Sequence, residues 1–289
     1  MLRTYKEAAR LMPKLHQHTA RLTVWFQQSE MGMEKQEILS RATTFATVHP
    51  HNGRLVFFTP QHVVAPWRYP DYHAYAMDWL QHVDEKHCTY CLDVRAPDDT
   101  GDMTRHHFDK VHYHDTRDVA TLQMHPEAEA RLKGDLARQN MVLKPVQMRH
   151  ELQLEEHESC YIAGYEVEEE EDASEDESPA ADKEDTREQF PFYVTGAFTL
   201  RTERQAYVKT SEVLNFGMCG APVLDHQQRC CGLVEGIVPS IGDPKAPPPE
   251  LQSPLYRRVE GNAGVVEADE LYHLMIFPPQ PAYQRELQQ

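Results

Sequence analysis

Apolar residues along this chain fall in short runs, most of them strand length, separated by glycine, proline and polar turn residues. TTFATVHP (43–50) and RLVFFTP (54–60) flank the turn residues His51, Asn52 and Gly53, a pattern that predicts a β-hairpin. TYCLDVRA (89–96) and KVHYHDTRDVATLQM (110–124) predict further strands. In the second, Val119, Thr121 and Gln123 alternate with Ala120, Leu122 and Met124. The spacing of Tyr75, Trp79, Leu80 and Val83 predicts a helix over 71–83, and 131–139 reads as a short helix or loop crossing to a second half. Beyond it, MVLKPVQM (141–148), SCYIAGYEV (159–167), FPFYVTGAFTLRT (190–202), QAYVKTSEVL (205–214), GAPVLD (220–225) and CCGLVEGIVP (230–239) supply six strand candidates, a number that suits a Greek-key barrel. VEADELYHLM (266–275) predicts a closing helix.

Two stretches break this pattern. Over the first 25 residues Arg3, Lys6, Arg10, Lys14 and Arg21 share one helix face, Leu2, Tyr5, Ala9, Met12 and Leu15 share another, and only Glu7 is acidic before Glu30. Residues 1–30 are therefore expected to be an amphipathic extension of the kind a mitochondrial targeting segment needs. The alternative is an ordinary surface helix, shortened by Pro13, in a cytoplasmic protein. The second stretch, residues 166–188, holds 13 Asp or Glu against Lys183 and Arg187, which accounts for −11 of the net charge of −17. It is expected to be a solvated, disordered insertion between two strands, adding solubility or docking a basic protein partner, with Ser174 and Ser178 in acidic surroundings.

At 289 residues and 40% hydrophobic content the chain is long enough for one large globular domain. No apolar run approaches the roughly 18 residues that a membrane span needs. Neither a membrane span nor nucleic acid is expected as a partner, and no cofactor is called for.

Three stretches carry candidate chemistry: FFTPQHVVAP around His62, RDVATLQM around Asp118 and FGMCGAPVLD around Cys219. In the first, the run Leu55, Val56, Phe57 and Phe58 ends in a Thr-Pro turn, and the histidine follows three residues after Thr59. In the third, Gly217 and Gly220 flank Cys219, and Pro222 precedes an apolar strand. A tight turn there aims the N–H groups of Gly217 and Cys219 at one point, an oxyanion hole. Singly, each stretch is ordinary core or turn chemistry. Together, in the order His, Asp, nucleophile and at separations of 56 and 101 residues, they resemble the catalytic set of the trypsin-like (chymotrypsin-fold) peptidases with cysteine replacing serine.

That resemblance covers about residues 40–275. It implies an all-β fold of two packed six-stranded Greek-key β-barrels, with an N-terminal helical extension and a C-terminal helix. The first barrel, 40–140, would carry His62 and Asp118; the second, 141–275, would carry Cys219 and the acidic insertion; 276–289 would be a tail. It also implies roles: Cys219 as nucleophile, His62 as general base, and Asp118 as the carboxylate orienting His62, with Asp115 open as the alternative. Val213, six residues before the nucleophile, would floor the primary pocket, and Gly232, Leu233 and Val234 would form its wall. Such an apolar floor suits a medium apolar substrate side chain, whereas the direction of Glu235 is open.

The chain departs from the family at four points. Cys219 replaces Ser, Ala221 replaces the second glycine of GDSGGP, Met218 replaces its Asp, and Pro60 and Gln61 stand where a CAAH-type cysteine would be. GMCGA is similar to the GxCGG signature of viral processing peptidases, and a thiol beside a histidine is a competent nucleophile. Without the Asp, activation by a newly freed amino terminus loses its carboxylate, so a constitutive form is expected.

The remaining cysteines form no evident framework. Cys88 and Cys91 make a lone CxxC near His87, His106, His107, His112 and His114, without the second pair's usual zinc spacing, and no metal site is expected. Vicinal Cys230 and Cys231 are poorly placed to pair with each other. Unpaired thiols suit a reducing compartment. The function read from the sequence is a trypsin-like cysteine endopeptidase acting on peptide or protein substrates. The alternative is a silent member of the fold serving as a binding or scaffold subunit of a larger assembly. A metal or redox sensor at Cys88 and Cys91 is a third, weaker reading.

Overall fold

The computed structural model describes residues 14–70, 78–95, 103–149, 155–167, 188–203, 205–242, 246–248 and 252–279. Thr19–Phe26 (β1), Glu37–Val48 (β2), Leu55–Thr59 (β3), Cys88–Val94 (β4), Thr104–His107 (β5), Lys110–Tyr113 (β6) and Ala120–Gln123 (β7) form one antiparallel sheet in the order β5-β4-β1-β2-β3-β7-β6. Period-2 alternation gives this sheet two buried faces. Along β2, Ala42 and Ala46 join Leu22, Phe57, Leu92 and Leu122 in one core, whereas Phe45 points the other way, against Phe58 and Val119. Phe45, Phe57 and Phe58 are fully buried, each worth about 1.5–3 kcal/mol of burial.

The second half closes on itself. Ser159–Val167 (β8), Gln189–Arg201 (β9), Ala206–Thr210 (β10), Pro222–Leu224 (β11), Cys230–Ile237 (β12) and Ala263–Glu267 (β13) make a six-stranded barrel in the order β10-β13-β12-β11-β8-β9, closed by the β9–β10 pairing. Ile162, Val208, Val223 and Val265 fill its interior. The two halves meet through Phe45, Phe58 and Val119 on one side and Leu224, Leu233 and Leu271 on the other. Among the described residues four α-helices decorate them: Gln61–Val64 (α1), Pro126–Arg138 (α2), Pro254–Val259 (α3) and Ala268–Ile276 (α4). The fold is therefore mostly β, a closed barrel beside a curled half-barrel, as in the two-barrel trypsin-like architecture.

Several expectations need correction in detail. The first half is a curled sheet of seven strands rather than six in a closed barrel. Its added strand is β1, which lies inside the extension expected over 1–30: residues 14–16 are helical, but from Thr19 the chain pairs with β2 and β4. MVLKPVQM is not a barrel strand, because Pro145 has no N–H to donate and this segment instead stitches the halves together. Val146 N–H donates to Ala46, and Gln147 C=O accepts from Cys230 N–H. The sixth barrel strand is β13, in AGVVE, which directly precedes α4 and so hides in an uninterrupted apolar run. Of the helix expected over 71–83, residues 71–77 lie outside the described residues, and Asp78–His82 is a 3-10 turn. Most of the acidic insertion, 168–187, also lies outside them.

Candidate active site

The three predicted residues come together where the two halves meet. The Thr-Pro turn ends β3, and α1 starts at once, placing His62 on its first turn. Asp118 enters just before β7 and is buried. Its Oδ1 accepts the His62 backbone N–H at 2.8 Å and its Oδ2 pairs with His62 Nδ1 at 2.5 Å. One carboxylate thus caps α1 and orients the ring, whereas Asp115 sits exposed in the preceding turn. With Nδ1 engaged by Asp118, the imidazole also interacts with the Cys219 thiol. Burial depresses the His62 pKa, but the hydrogen bonds to Asp118 and Cys219 and their charges outweigh it and lift the imidazole to about 10.

The turn that carries Cys219 is shaped by two glycines and by Thr43 of β2. Gly217 and Gly220 have φ of +91° and +89°, and a Cβ on Gly220 would lie 2.0 Å from the Thr43 carbonyl oxygen. Thr43 N–H donates to the Cys219 carbonyl at 3.0 Å, and Thr43 Oγ1 donates to the Gly217 carbonyl at 2.9 Å. The Met218 carbonyl accepts from Ala221 N–H and the Phe216 carbonyl from Val167 N–H. Because C=O and N–H point oppositely across a trans peptide, the N–H groups of Cys219 and Gly217 are turned away from those partners. Neither has a hydrogen-bond acceptor among the described residues.

Two of the four departures from the trypsin-like pattern have packing explanations. Met218 and Ala221 are both buried in the barrel interior with Ile162 and Val223, so the place of the family's Asp is filled by a thioether in an apolar cluster. A carboxylate there would face a steep desolvation cost.

The predicted pocket is corrected. Val213 is 75% exposed and floors nothing. Gly232, Leu233 and Val234 are buried: Leu233 packs between the halves, Val234 packs inside the barrel, and a Cβ on Gly232 would strike Val265 and Val266. The part of β12 that emerges from the core is the next three residues, Glu235, Gly236 and Ile237, and Phe216 in the turn before the nucleophile is 64% exposed. Sequence reading missed Thr43, for which the sequence holds no signal. Glu235 had one: a lone carboxylate in the apolar run GLVEGIVP.

Cys88 and Cys91 stand three apart on β4, on opposite faces of the strand, so their thiols diverge. Cys91 Sγ lies 3.4 Å from His107 Nδ1, and no group of three metal-ligating side chains occurs among the described residues. All six cysteines are free. No helix among the described residues is long and apolar enough to cross a membrane.

No protein-family profile matches this sequence, and no curated protein does. Solved structures do: a crystal structure of Deg5 superposes with a TM-score of 0.51, covering 96% of this chain and 99% of that one at 12% identity. At that identity the likeness bears on architecture, and with the closed barrel and curled half-barrel it establishes that this chain has a chymotrypsin-like fold.

Proposed function

We propose that the chain is a trypsin-like cysteine endopeptidase, and the observation that carries this is the Asp118–His62 hydrogen-bonded pair set against Cys219 where the two halves meet. As Cys219 Sγ attacks the scissile carbonyl carbon, its proton resides on His62, and the carbonyl π electrons move to oxygen. The N–H groups of Gly217 and Cys219 hydrogen bond that oxyanion. Collapse expels the amine, which takes the proton from His62 and leaves a thioester. Water, deprotonated by His62, then attacks the thioester; the carboxylic acid leaves and Cys219 regains its proton. Asp118 holds the ring and stabilises its charged form throughout. The exposed Phe216 and Ile237 offer apolar contacts to an extended peptide at the rim.

A second reading, a silent binding or scaffold subunit of a larger assembly, is favoured by the exposure of Val213 and the burial of Leu233 and Val234, which leave the expected pocket unbuilt. The acidic stretch 166–188 would then dock a basic partner. A mitochondrial location rests on the basic, acid-poor start of the chain, and import of the full chain into isolated mitochondria tests it.

The deciding experiment is cleavage of a diverse peptide library by the wild type beside Cys219→Ala, read by mass spectrometry. Cuts that vanish in the variant support the peptidase and reveal its preference. No cuts by folded wild type, together with recovery in a large particle, would shift the assignment to the scaffold.

A further inference from the structure

Glu235 interrupts the apolar run of β12, and the strand departs from regular pairing there. On β12 Val234 pairs with Val265 and Gly236 pairs with Gly264, so Glu235 is an extra residue with no partner on β13, a β-bulge. Bulges next to functional sites re-aim a side chain. This one sits directly against the nucleophile turn, since Gly220 N–H donates to the Val234 carbonyl at 2.8 Å. Glu235 follows by two residues Leu233, which packs against Val119 of the first half, the neighbour of Asp118.

The carboxylate is held in place from outside the triad. Gln205 Nε2 donates to Glu235 Oε2 at 2.5 Å, and Gln205 lies over Gly264, where a Cβ would be 2.4 Å from that nitrogen. The ionisable groups facing Glu235 are Asp118 and Arg117 before β7, His62 of α1 and Tyr207 of β10. The charges of Asp118 and Glu235 therefore both bear on the His62 imidazole.

We propose that Glu235 is a positioning residue of the triad, a second carboxylate clamped by Gln205 that, when ionised, joins Asp118 in holding the His62 ring protonated and aligned with Cys219. The assignment rests on His62, Asp118 and Cys219 forming one working cluster. Burial and the charge of Asp118 push the Glu235 carboxyl up to about 7, against the opposing pull of His62, Arg117 and the Gln205 hydrogen bond. The second negative charge is thus present above neutrality and lost below it, and the site gains an ionisation that Asp118 alone does not provide.

The test uses the full chain as wild type, Glu235→Gln and Gln205→Ala. Iodoacetamide alkylation is read at the Cys219 peptide by mass spectrometry over about pH 5 to 10, and the His62 ring is titrated by NMR. The wild-type rate profile is expected to carry a step near pH 7. Glu235→Gln, which keeps an acceptor for Gln205, should abolish that step and lower the His62 midpoint by about one pH unit. Gln205→Ala should move the step to higher pH, because the hydrogen bond that favours the ionised carboxylate is gone. A step that survives Glu235→Gln, or does not move in Gln205→Ala, belongs to another group and overturns the proposal. If the step behaves as expected but no peptide is cleaved, the peptidase reading fails and the assignment of Glu235 stands.

Discussion

Thr43 in the first sheet holds Cys219 in the second half: its N–H donates to the Cys219 carbonyl at 3.0 Å. Its hydroxyl donates to Gly217 and accepts from Tyr165 N–H at 2.8 Å. Three backbone groups of the second half are thereby tied to one threonine of the first, which makes the turn carrying the thiol a feature of the interface.

Thr43→Val keeps the shape and removes the hydroxyl, leaving the buried Gly217 carbonyl and Tyr165 N–H without that partner. A loss of about 1–3 kcal/mol is expected in urea unfolding. Thr43→Ser should recover most of it. Equal stability of the Val and Ser variants would show that the hydroxyl contributes nothing.

Asp118→Asn retains the volume of the buried side chain but cannot hold His62 in the same tautomer and charge state. Peptide cleavage should fall by roughly ten-thousandfold while the circular dichroism spectrum is kept, and melting at neutral pH should drop because His62 loses a partner that raises its pKa. Unchanged cleavage would reduce Asp118 to a cap for α1, since it also accepts the His62 N–H.

Gly220 and Gly32 separate backbone strain from steric conflict. Both have positive φ, +89° and +86°, but a Cβ on Gly220 meets Thr43 oxygen at 2.0 Å, whereas nothing lies within 4 Å at Gly32. Gly32→Ala should cost about 1 kcal/mol and Gly220→Ala about 3 kcal/mol or more, with loss of Cys219 reactivity only in the latter. Similar melting curves for the two variants would mean that the turn can shift away from β2.

His62 links stability to pH. Its folded-state pKa, about 10, lies above the ordinary 6.5, so its protonation contributes stability that is fully present below about pH 6.5 and is lost as pH rises through about 10. Chemical denaturation across that window should show wild-type stability declining with a slope that Asp118→Asn reduces. An identical slope in both proteins would place the raised pKa elsewhere.

The local half of this protein was legible residue by residue. The hairpin around His51, Asn52 and Gly53, the alternating strand after Asp118, and the glycines on either side of Cys219 are patterns a few residues long, and each formed where it was read. β1 was not legible, because its alternation overlapped a basic, helix-like face through Arg21. β13 merged with the helix after it. The pocket failed for a different reason: counting back from Cys219 to Val213 assumes a loop path that buries Val213, whereas its side chain is exposed.

The sequence by itself determined that the chain is built of short strands and that a histidine, an aspartate and a cysteine stand at strand ends and turns in trypsin-like order, because strand periodicity and turn chemistry depend only on neighbours along the chain. Tertiary structure alone decided that Asp118 rather than Asp115 meets His62, that Thr43 reaches Gly217 across 174 residues, and that β12 bulges at Glu235 beside the nucleophile turn. Those contacts depend on how two sheets pack face to face, and packing joins residues whose spacing in the sequence carries no trace of their meeting.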